Sequence, residues 1–275
     1  MPVIDAHQHF WNYDPAAHAW ISEEMSVIRK NFLPDDLKIL LHENDVDGCV
    51  AVQADQSETE TDFLIKLAAE NNFIRGVVGW IDLCAHNVTD RLAYYQQYNV
   101  VKGFRHILQG EDPAFMLRPE FLRGIAVLKD FGYTYDVLIF PQHLNASLEL
   151  VKQFPEQLFV IDHIAKPDIK NSLIENWENG IRALAAMPNV YCKISGMVTE
   201  ANWQTWTKED LFPYLAVVTD AFGTNRLLYG SDWPVCLVAA GYHEMMEPVK
   251  DFFTHFSADE QEAVFGKNAI EFYHL

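Results

Sequence analysis

Short apolar runs alternate with amphipathic segments along the whole chain, and this alternation restricts the fold more than any other property of the sequence. Apolar residues three and four positions apart, as in Phe121, Leu122, Ile125 and Leu128, indicate helices between the runs. Strand and helix alternating eight times predict parallel strands that close into a barrel. The eight predicted strands are Val3–His9, Gly48–Ala54, Arg75–Leu83, Val100–Ile107, Thr134–Phe140, Leu158–Ile164, Val190–Ile194 and Arg226–Gly230.

The predicted architecture is therefore an α/β fold, a (β/α)8 TIM barrel, in a single domain spanning residues 1–275. An open doubly wound sheet is the alternative, but it usually carries a glycine-rich phosphate loop where this chain has His7, Gln8 and His9. We expect residues 11–32 to fold over the barrel mouth. We expect residues 258–273 to form a helix outside the barrel, with Phe265, Ile270 and Phe272 in the core.

Charge and cysteine content restrict the partners and the compartment. The chain has 20 basic and 39 acidic side chains and a formal net charge of −19, which would repel nucleic acid and anionic membranes. No apolar run is long enough to predict a membrane span, and the N-terminus does not resemble a signal peptide. The four cysteines form no CxxC pair and are interpreted as reduced thiols, which favours the cytoplasm. The oligomeric state, including a homo-oligomer, is left open.

Four residues at predicted strand ends are the candidate catalytic groups. His7 and His9 alternate on the first strand, so both side chains point the same way, as two ligands of a metal or a carbonyl group would. His163 ends the sixth strand and Asp232 follows the eighth. A carboxylate after an apolar run is costly to bury without partners, and the three histidines are suitable ones. Asp162 is instead expected to brace its strand.

Polar residues of the fourth and seventh strands are the candidate substrate contacts. Arg105 and His106 are adjacent and must face opposite sides of the sheet. Arg105 suits an oxygen-rich substrate, with an interior ion pair as the alternative, and His106 is expected behind the pocket or at its rim. Lys193 either reaches the mouth or is a solvated strand end. Lys102, Arg105 and Lys193 are the candidates for local positive charge in the pocket.

Three tryptophans, Trp11, Trp80 and Trp233, lie at predicted strand ends. They either stack on a sugar-like ring or plug the top of the barrel, and the second interpretation is the commoner one. Cys236 lies close to Asp232 but has no evident base to activate it. The role of His143 is undecided. Six further histidines are expected at the surface: His18, His42, His86, His243, His255 and His274.

The segments VIDAHQHFW, GFRHIL, VIDHIAKP, KISGM and LLYGSDWPV, in this order and over nearly the whole chain, resemble the amidohydrolase-related lactonases. Members of that group hydrolyse lactones of sugar acids, such as L-fuconolactone and L-rhamnonolactone, or pyrone-type dicarboxylate lactones. The resemblance implies that His7, His9, His163 and Asp232 occupy active-site positions, and that Arg105 contacts the substrate.

Departures from the superfamily's pattern bear on the metal. Two-metal members usually place a bridging lysine or glutamate at the end of strand four, where this chain has Arg105 and His106. Single-metal members often have a histidine at the end of strand five, but here His143 comes only after a proline. Two metals are therefore disfavoured. One divalent ion, with zinc as first choice, held by His7, His9 and Asp232 with or without His163, and no metal at all both remain open.

The expected reaction is the opening of a sugar-acid lactone by water, with Asp232 as the general base. His7, His9, His163 and Arg105, or a metal ion, would stabilise the charge that develops on the carbonyl oxygen. A neutral polyhydroxylated lactone fits the few basic residues better than a pyrone dicarboxylate does. The alternatives are a metal-dependent non-oxidative decarboxylase of the same superfamily and a barrel that binds a sugar acid without turning it over.

Overall fold

The computed structural model describes residues 1–275 and contains one parallel sheet whose eight strands follow the order of the chain. The sheet closes through a parallel bridge between Gln8 and Trp233, where the His9 amide donates to the Trp233 carbonyl at 2.7 Å. The protein is a (β/α)8 barrel, as predicted. The strands are β1 Ile4–Gln8, β2 Gly48–Val52, β3 Ile74–Gly79, β4 Val101–His106, β5 Thr134–Val137, β6 Phe159–Ile161, β7 Val190–Ile194 and β8 Leu227–Tyr229.

Helices follow every strand and pack their apolar faces around the barrel. Ser57 accepts a hydrogen bond from the Glu60 amide at the start of α2, and Ser257 and Glu260 form a capping box before α9. No helix combines the length and apolar character needed to cross a membrane. The helices are α1 Pro34–Glu43, α2 Glu58–Glu70, α3 Val88–Tyr95, α4 Pro119–Leu128, α5 Leu144–Gln153, α6 Glu175–Ala185, α7 Lys208–Phe222, α8 Tyr242–Phe253, α9 Ala258–Glu262 and α10 Asn268–Tyr273.

The C-terminal stretch is helical, but the expectation that it lies wholly outside the barrel was wrong. A π-helical turn, Ala263–Lys267, joins α9 to α10. Phe272 and Tyr273 belong to a small apolar group with strand residues such as Val50 and Val160, separate from the main core. The Tyr273 hydroxyl donates to Asp136 of β5 at 2.8 Å. The end of the chain thus covers the barrel interior, because a buried carboxylate there needs a hydrogen-bond donor.

The segment after β1 packs over the mouth, as expected. Trp11 and Phe32 pair in an antiparallel bridge that closes the loop at its base. The Phe32 ring then meets Trp233 edge-on, with 5.2 Å between centroids. This contact joins the first loop to the loop after β8, directly beside Asp232.

Candidate active site

Side chains from β1, β6 and β8 converge at the carboxyl-terminal end of the barrel. Oδ1 of Asp232 lies 3.4 Å from Nε2 of His9 and 3.9 Å from Nε2 of both His7 and His163. The two β1 imidazoles approach to 3.2 Å between their Nε2 atoms. All four side chains are at most 5% exposed. The structure therefore brings together the four residues that the sequence analysis selected.

Unusual backbone conformations position two of these groups. The strand β6 ends at Ile161, earlier than predicted, because the following turn is left-handed from His163 (φ 51°) to Lys166 (φ 49°). Asp232 is also left-handed, with φ 56°. Gly196, at φ 60°, passes between them, and a Cβ there would lie 2.5 Å from Nδ1 of His163 and 3.0 Å from Oδ2 of Asp232. Only glycine fits at that point.

The hydrogen bonding of His9 fixes which of its nitrogens faces the cluster. Nδ1 of His9 lies 2.7 Å from the Val52 carbonyl, which can only accept, so Nδ1 carries the hydrogen and Nε2 presents a lone pair. That lone pair faces the carboxylate of Asp232 at 3.4 Å. Two acceptors that face each other need a cation or a proton between them. His7, His9 and Asp232 are thus a donor set suited to one divalent metal ion, with ligand atoms within 4.8 Å of one another.

Burial sets the charge state of the cluster. It lowers the pKa of His7 and His163 well below the usual value of a histidine, and lowers that of His9 as well. Burial would raise the pKa of Asp232, but the proximity of His163, His9 and Lys166 outweighs it and lowers that pKa. At neutral pH the site therefore holds neutral imidazoles, which can bind a metal, around an ionised carboxylate, which can accept a proton.

A network of buried charges lies beneath His7. Nζ of Lys193 contacts Asp136 at 2.5 Å, Asp162 at 3.0 Å and Nδ1 of His7 at 3.1 Å. Arg105 contacts Asp162 at 3.0 Å from its Nη1 atom. Burial would raise the pKa of Asp162, but Lys193, His7 and Arg105 together lower it well below the usual range. The network fixes the ring of His7 from below.

The location expected for Lys193 was wrong. It is fully buried in the barrel interior rather than at the mouth or in solvent, because the carboxylates of Asp136 on β5 and Asp162 just after β6 hold its ammonium group. The expectation that Lys102 supplies positive charge to the pocket was also wrong. Its Nζ donates to the His274 carbonyl, beside the C-terminus. Arg105 is 3% exposed and makes the interior ion pair that the sequence analysis kept as an alternative. Its second Nη donates to Gln53 of the loop after β2.

The remaining candidate contacts lie around this cluster at different depths. His106 stacks on Phe115 with 4.9 Å between centroids, and the indole nitrogen of Trp80 donates to it at 3.4 Å. Both are half-buried at one rim of the site. Trp11 and Trp233 are each 2% exposed and pack against Phe32, in the manner of plugs rather than exposed platforms.

Other sequence candidates are structural. His143 is buried, with Nε2 3.0 Å from the Glu111 carbonyl. Cys236 is buried, and burial raises the pKa of its thiol well above the usual value, which removes it as a nucleophile. The expectation that His18 lies at the surface was wrong, because it packs on Trp11 with 5.5 Å between centroids. The other five expected surface histidines are exposed.

Sequence reasoning missed a buried support beneath Asp232. The carboxylate of Asp5 accepts hydrogen bonds from the Ser231 hydroxyl at 2.6 Å and the Tyr242 hydroxyl at 3.0 Å. Burial raises the pKa of Asp5 to about 6 despite these bonds. The sequence did contain a signal for this support. Asp5 is an acidic residue inside a predicted strand, and a buried carboxylate needs hydrogen-bond partners. The bonds tie the start of β1 to the residue before Asp232.

A cavity of about 830 Å³ lies between the loops that follow β5, β6 and β7, and none of the four cluster residues lines it. Lys166 lines it and also lies close enough to Asp232 to help lower the pKa of that residue. Glu200, on the loop after β7, pairs with Lys166 at 3.7 Å. Neither residue was selected from the sequence, where each looks like an ordinary charged loop residue. The cavity has the volume of a small-molecule site.

Comparisons with known proteins agree with the fold and identify the family. A family model described as amidohydrolase matches residues 4–275. An L-fucono-1,5-lactonase of Burkholderia multivorans is 39% identical over 99% of this chain and 96% of its own, and one of Burkholderia ambifaria is 34% identical over 99% and 95%. The crystal structure of an amidohydrolase from Burkholderia multivorans with bound zinc superimposes with a TM-score of 0.97 at 38% identity, over 100% of both chains. The chain therefore belongs to the amidohydrolase family.

Proposed function

We propose that this protein hydrolyses the ester bond of a sugar-acid lactone of the L-fuconolactone or L-rhamnonolactone type. The observation that carries the proposal is the ionised carboxylate of Asp232, which faces three neutral imidazoles. Lys166, whose charge acts on Asp232, connects this cluster to a polar cavity. Full-length similarity to two L-fucono-1,5-lactonases supports this substrate class.

Asp232 acts as the general base. Its carboxylate removes a proton from a water molecule as the water oxygen attacks the lactone carbonyl carbon. When the ring C–O bond breaks, the departing alkoxide takes up this proton, so that water and lactone give one hydroxy acid. A lowered pKa keeps Asp232 ionised and ready for the first step throughout the neutral range.

His163 stabilises the carbonyl oxygen as it gains negative charge. Its Nδ1 atom lies 2.9 Å from the Ser195 hydroxyl, so Ser195 can donate to it and leave the hydrogen on Nε2. Nε2 is the atom that faces Asp232, and it can therefore donate to an oxygen bound beside that carboxylate. Nη1 of Arg105 lies 3.3 Å from Nε2 of His7, so its positive charge is close to this part of the site.

One divalent ion, with zinc as the first choice, fits His7, His9 and Asp232. When bound, the ion would supply positive charge that polarises the carbonyl group and makes a nearby water more acidic. The support for it is the unprotonated Nε2 of His9 opposite the Asp232 carboxylate. The buried charges around His7 give further support, because three carboxylates face two cations and leave one negative charge without a partner. The carboxylates are Asp136, Asp162 and Asp232, and the cations are Arg105 and Lys193.

The charges around the cavity favour a neutral substrate. Three carboxylates, Glu24, Asp168 and Glu200, and two ammonium groups, Lys166 and Lys170, line it. A pyrone dicarboxylate would bring two further negative charges to a wall that already has more acids than bases. A polyhydroxylated lactone can instead bond to both kinds of group.

A pH-indicator assay on a panel of lactones, with and without added zinc, tests the proposal. We expect acid release from L-fuconolactone or L-rhamnonolactone and much slower release from a pyrone dicarboxylate. Carbon dioxide release from an aromatic hydroxy acid, without lactone hydrolysis, would replace the proposal with a decarboxylase. Binding of sugar acids with no turnover of any lactone by the zinc-loaded protein would identify a binding barrel instead.

A further inference from the structure

A strained turn connects the catalytic cluster to the cavity. Four consecutive non-glycine residues, His163 to Lys166, are left-handed, with φ values of 51°, 48°, 60° and 49°. This conformation is strained for an L-residue and normally occurs at single positions. Strain of this kind persists where surrounding contacts hold it, and it clusters at ligand sites. The turn places His163 beside Asp232 at one end and Lys166 in the cavity wall at the other.

Lys166 and Glu200 form an ion pair whose hydrogen-bonding capacity is largely unused. Their charged atoms are 3.7 Å apart, beyond the usual length of a hydrogen bond, and their side chains are 17% and 21% exposed. The only other side-chain partner of Glu200 is the Thr199 hydroxyl at 3.5 Å. The ammonium of Lys166 lies 5.6 Å from the centroid of Phe140, which orients it without occupying its donors.

The surroundings of the pair suit a polar ring. Trp203 lines the same cavity, and its indole nitrogen is already bonded to the Thr199 carbonyl at 2.8 Å, which fixes the orientation of the ring. Gln142 and Asn202 add amide groups to the wall. Burial raises the pKa of Glu200, so this carboxylate gains when a ligand hydroxyl donates to it.

We propose that Lys166 and Glu200 bind the ring hydroxyls of a neutral sugar lactone and thereby select hydroxylated lactones over plain ones. The ammonium donates to one hydroxyl oxygen while the carboxylate accepts from the neighbouring hydroxyl, so a vicinal diol satisfies both partners. A lactone without hydroxyls would remove water from the pair and form no hydrogen bonds with it. Polar groups left unpaired in this way strongly weaken the binding of such a ligand. This proposal rests on the lactone hydrolysis proposed above and adds the residues that determine specificity.

The test compares two substrates in three variants of the zinc-loaded protein. Lys166→Met keeps the apolar stem and removes the charge, and Glu200→Gln keeps the volume and removes the charge. We expect kcat/KM for L-fuconolactone to fall about 100-fold in each variant, while kcat/KM for δ-valerolactone, which has no hydroxyls, stays within about threefold. Lys208→Met is the matched control, because it removes an exposed lysine from an ion pair with Asp251 outside the cavity. It should leave both values unchanged.

Equal losses on both lactones, or no loss on either, would overturn the proposal. Thermal unfolding of each variant checks that the fold is retained, and Lys166→Ala and Glu200→Ala, which also remove the charged group, replace any variant that does not fold. Calorimetric binding of an unreactive sugar lactam separates this proposal from lactone hydrolysis. The parent protein could bind the lactam but hydrolyse no lactone. In that case the proposed hydroxyl contacts are supported if both variants lose lactam binding, although the proposed hydrolysis is not. Lactam binding that is absent in the parent, or equal in all proteins, overturns them.

Discussion

Nε2 of His9 faces Oδ1 of Asp232 at 3.4 Å, while the ring hydrogen of His9 lies on the opposite nitrogen, bonded to the Val52 carbonyl. A lone pair and a carboxylate at this distance repel unless a positive charge lies between them. In the proposed mechanism, the same arrangement would serve metal binding and proton removal.

Metal content is the first consequence to test. We expect elemental analysis of the purified protein to give about one divalent ion per chain, and chelation to lower activity that zinc restores. His9→Ala should lose the ion because it removes one of three ligands. His18→Ala, which removes a buried histidine outside the cluster, should retain it. A metal-free parent with full activity would contradict the expected ion.

Gly196→Ala tests the spacing between His163 and Asp232. The added Cβ would lie 2.5 Å from Nδ1 of His163, so one of the two side chains must move. We expect kcat/KM on a sugar lactone to fall about 100-fold, the cost of misplacing reacting groups by about 1 Å. Gly132→Ala is the control, because Gly132 has φ 75° and nothing within 4 Å of the added atom. Gly132→Ala should lower the free energy of unfolding slightly and leave kcat/KM unchanged. An equal fall of kcat/KM in both variants would show that Gly196 matters only for its backbone conformation and not for the spacing of the two side chains.

Lys193→Met tests the charge network beneath His7. Removing the ammonium leaves Asp136 and Asp162 buried with one partner fewer, which should cost about 3–5 kcal/mol in the free energy of unfolding. Urea denaturation provides the measurement. Lys208→Met, in an exposed and solvent-screened pair, should leave the free energy of unfolding almost unchanged. A similar small loss for Lys193→Met would show that the network does not stabilise the barrel.

Glu60 should make stability depend on pH. Burial raises its pKa from 4.5 to about 7, although the Ala54 and Asp55 amides donate to it. Because the folded pKa is the higher one, its contribution to stability is complete below pH 4.5 and is lost as the pH rises through 7. The free energy of unfolding of Glu60→Gln should therefore gain about 3 kcal/mol relative to the parent between pH 4 and 8. Parallel pH profiles of the two proteins would contradict the raised pKa.

The strands and most helices were predictable because each carries its own local pattern. The predicted run Val100–Ile107 differs from β4, Val101–His106, by one residue at each end. The prediction for β6 ran three residues too far, to Ile164, because a left-handed turn of non-glycine residues has no recognisable sequence signal. The position of Tyr273 inside the barrel was not predicted, because its hydrogen-bond partner Asp136 lies 137 residues away in the sequence.

The site was predictable where chemistry and strand ends coincide. His7, His9, His163 and Asp232 are polar residues at the ends of apolar runs, and a barrel brings such ends together. Lys193 follows the same rule but lies deeper, because its position is set by the carboxylates of Asp136 on β5 and Asp162 just after β6. Lys166 and Glu200 lie on loops, whose conformations depend on contacts that no local pattern encodes.

The most direct test of the account is the turnover of L-fuconolactone by Asp232→Asn, measured at saturating substrate with zinc present. The asparagine keeps the size of the side chain but cannot accept the proton from water, so we expect kcat to fall by about 10²–10⁴-fold while the protein remains folded. A kcat close to that of the parent would contradict the central role of Asp232 and, with it, the mechanism built on the cluster.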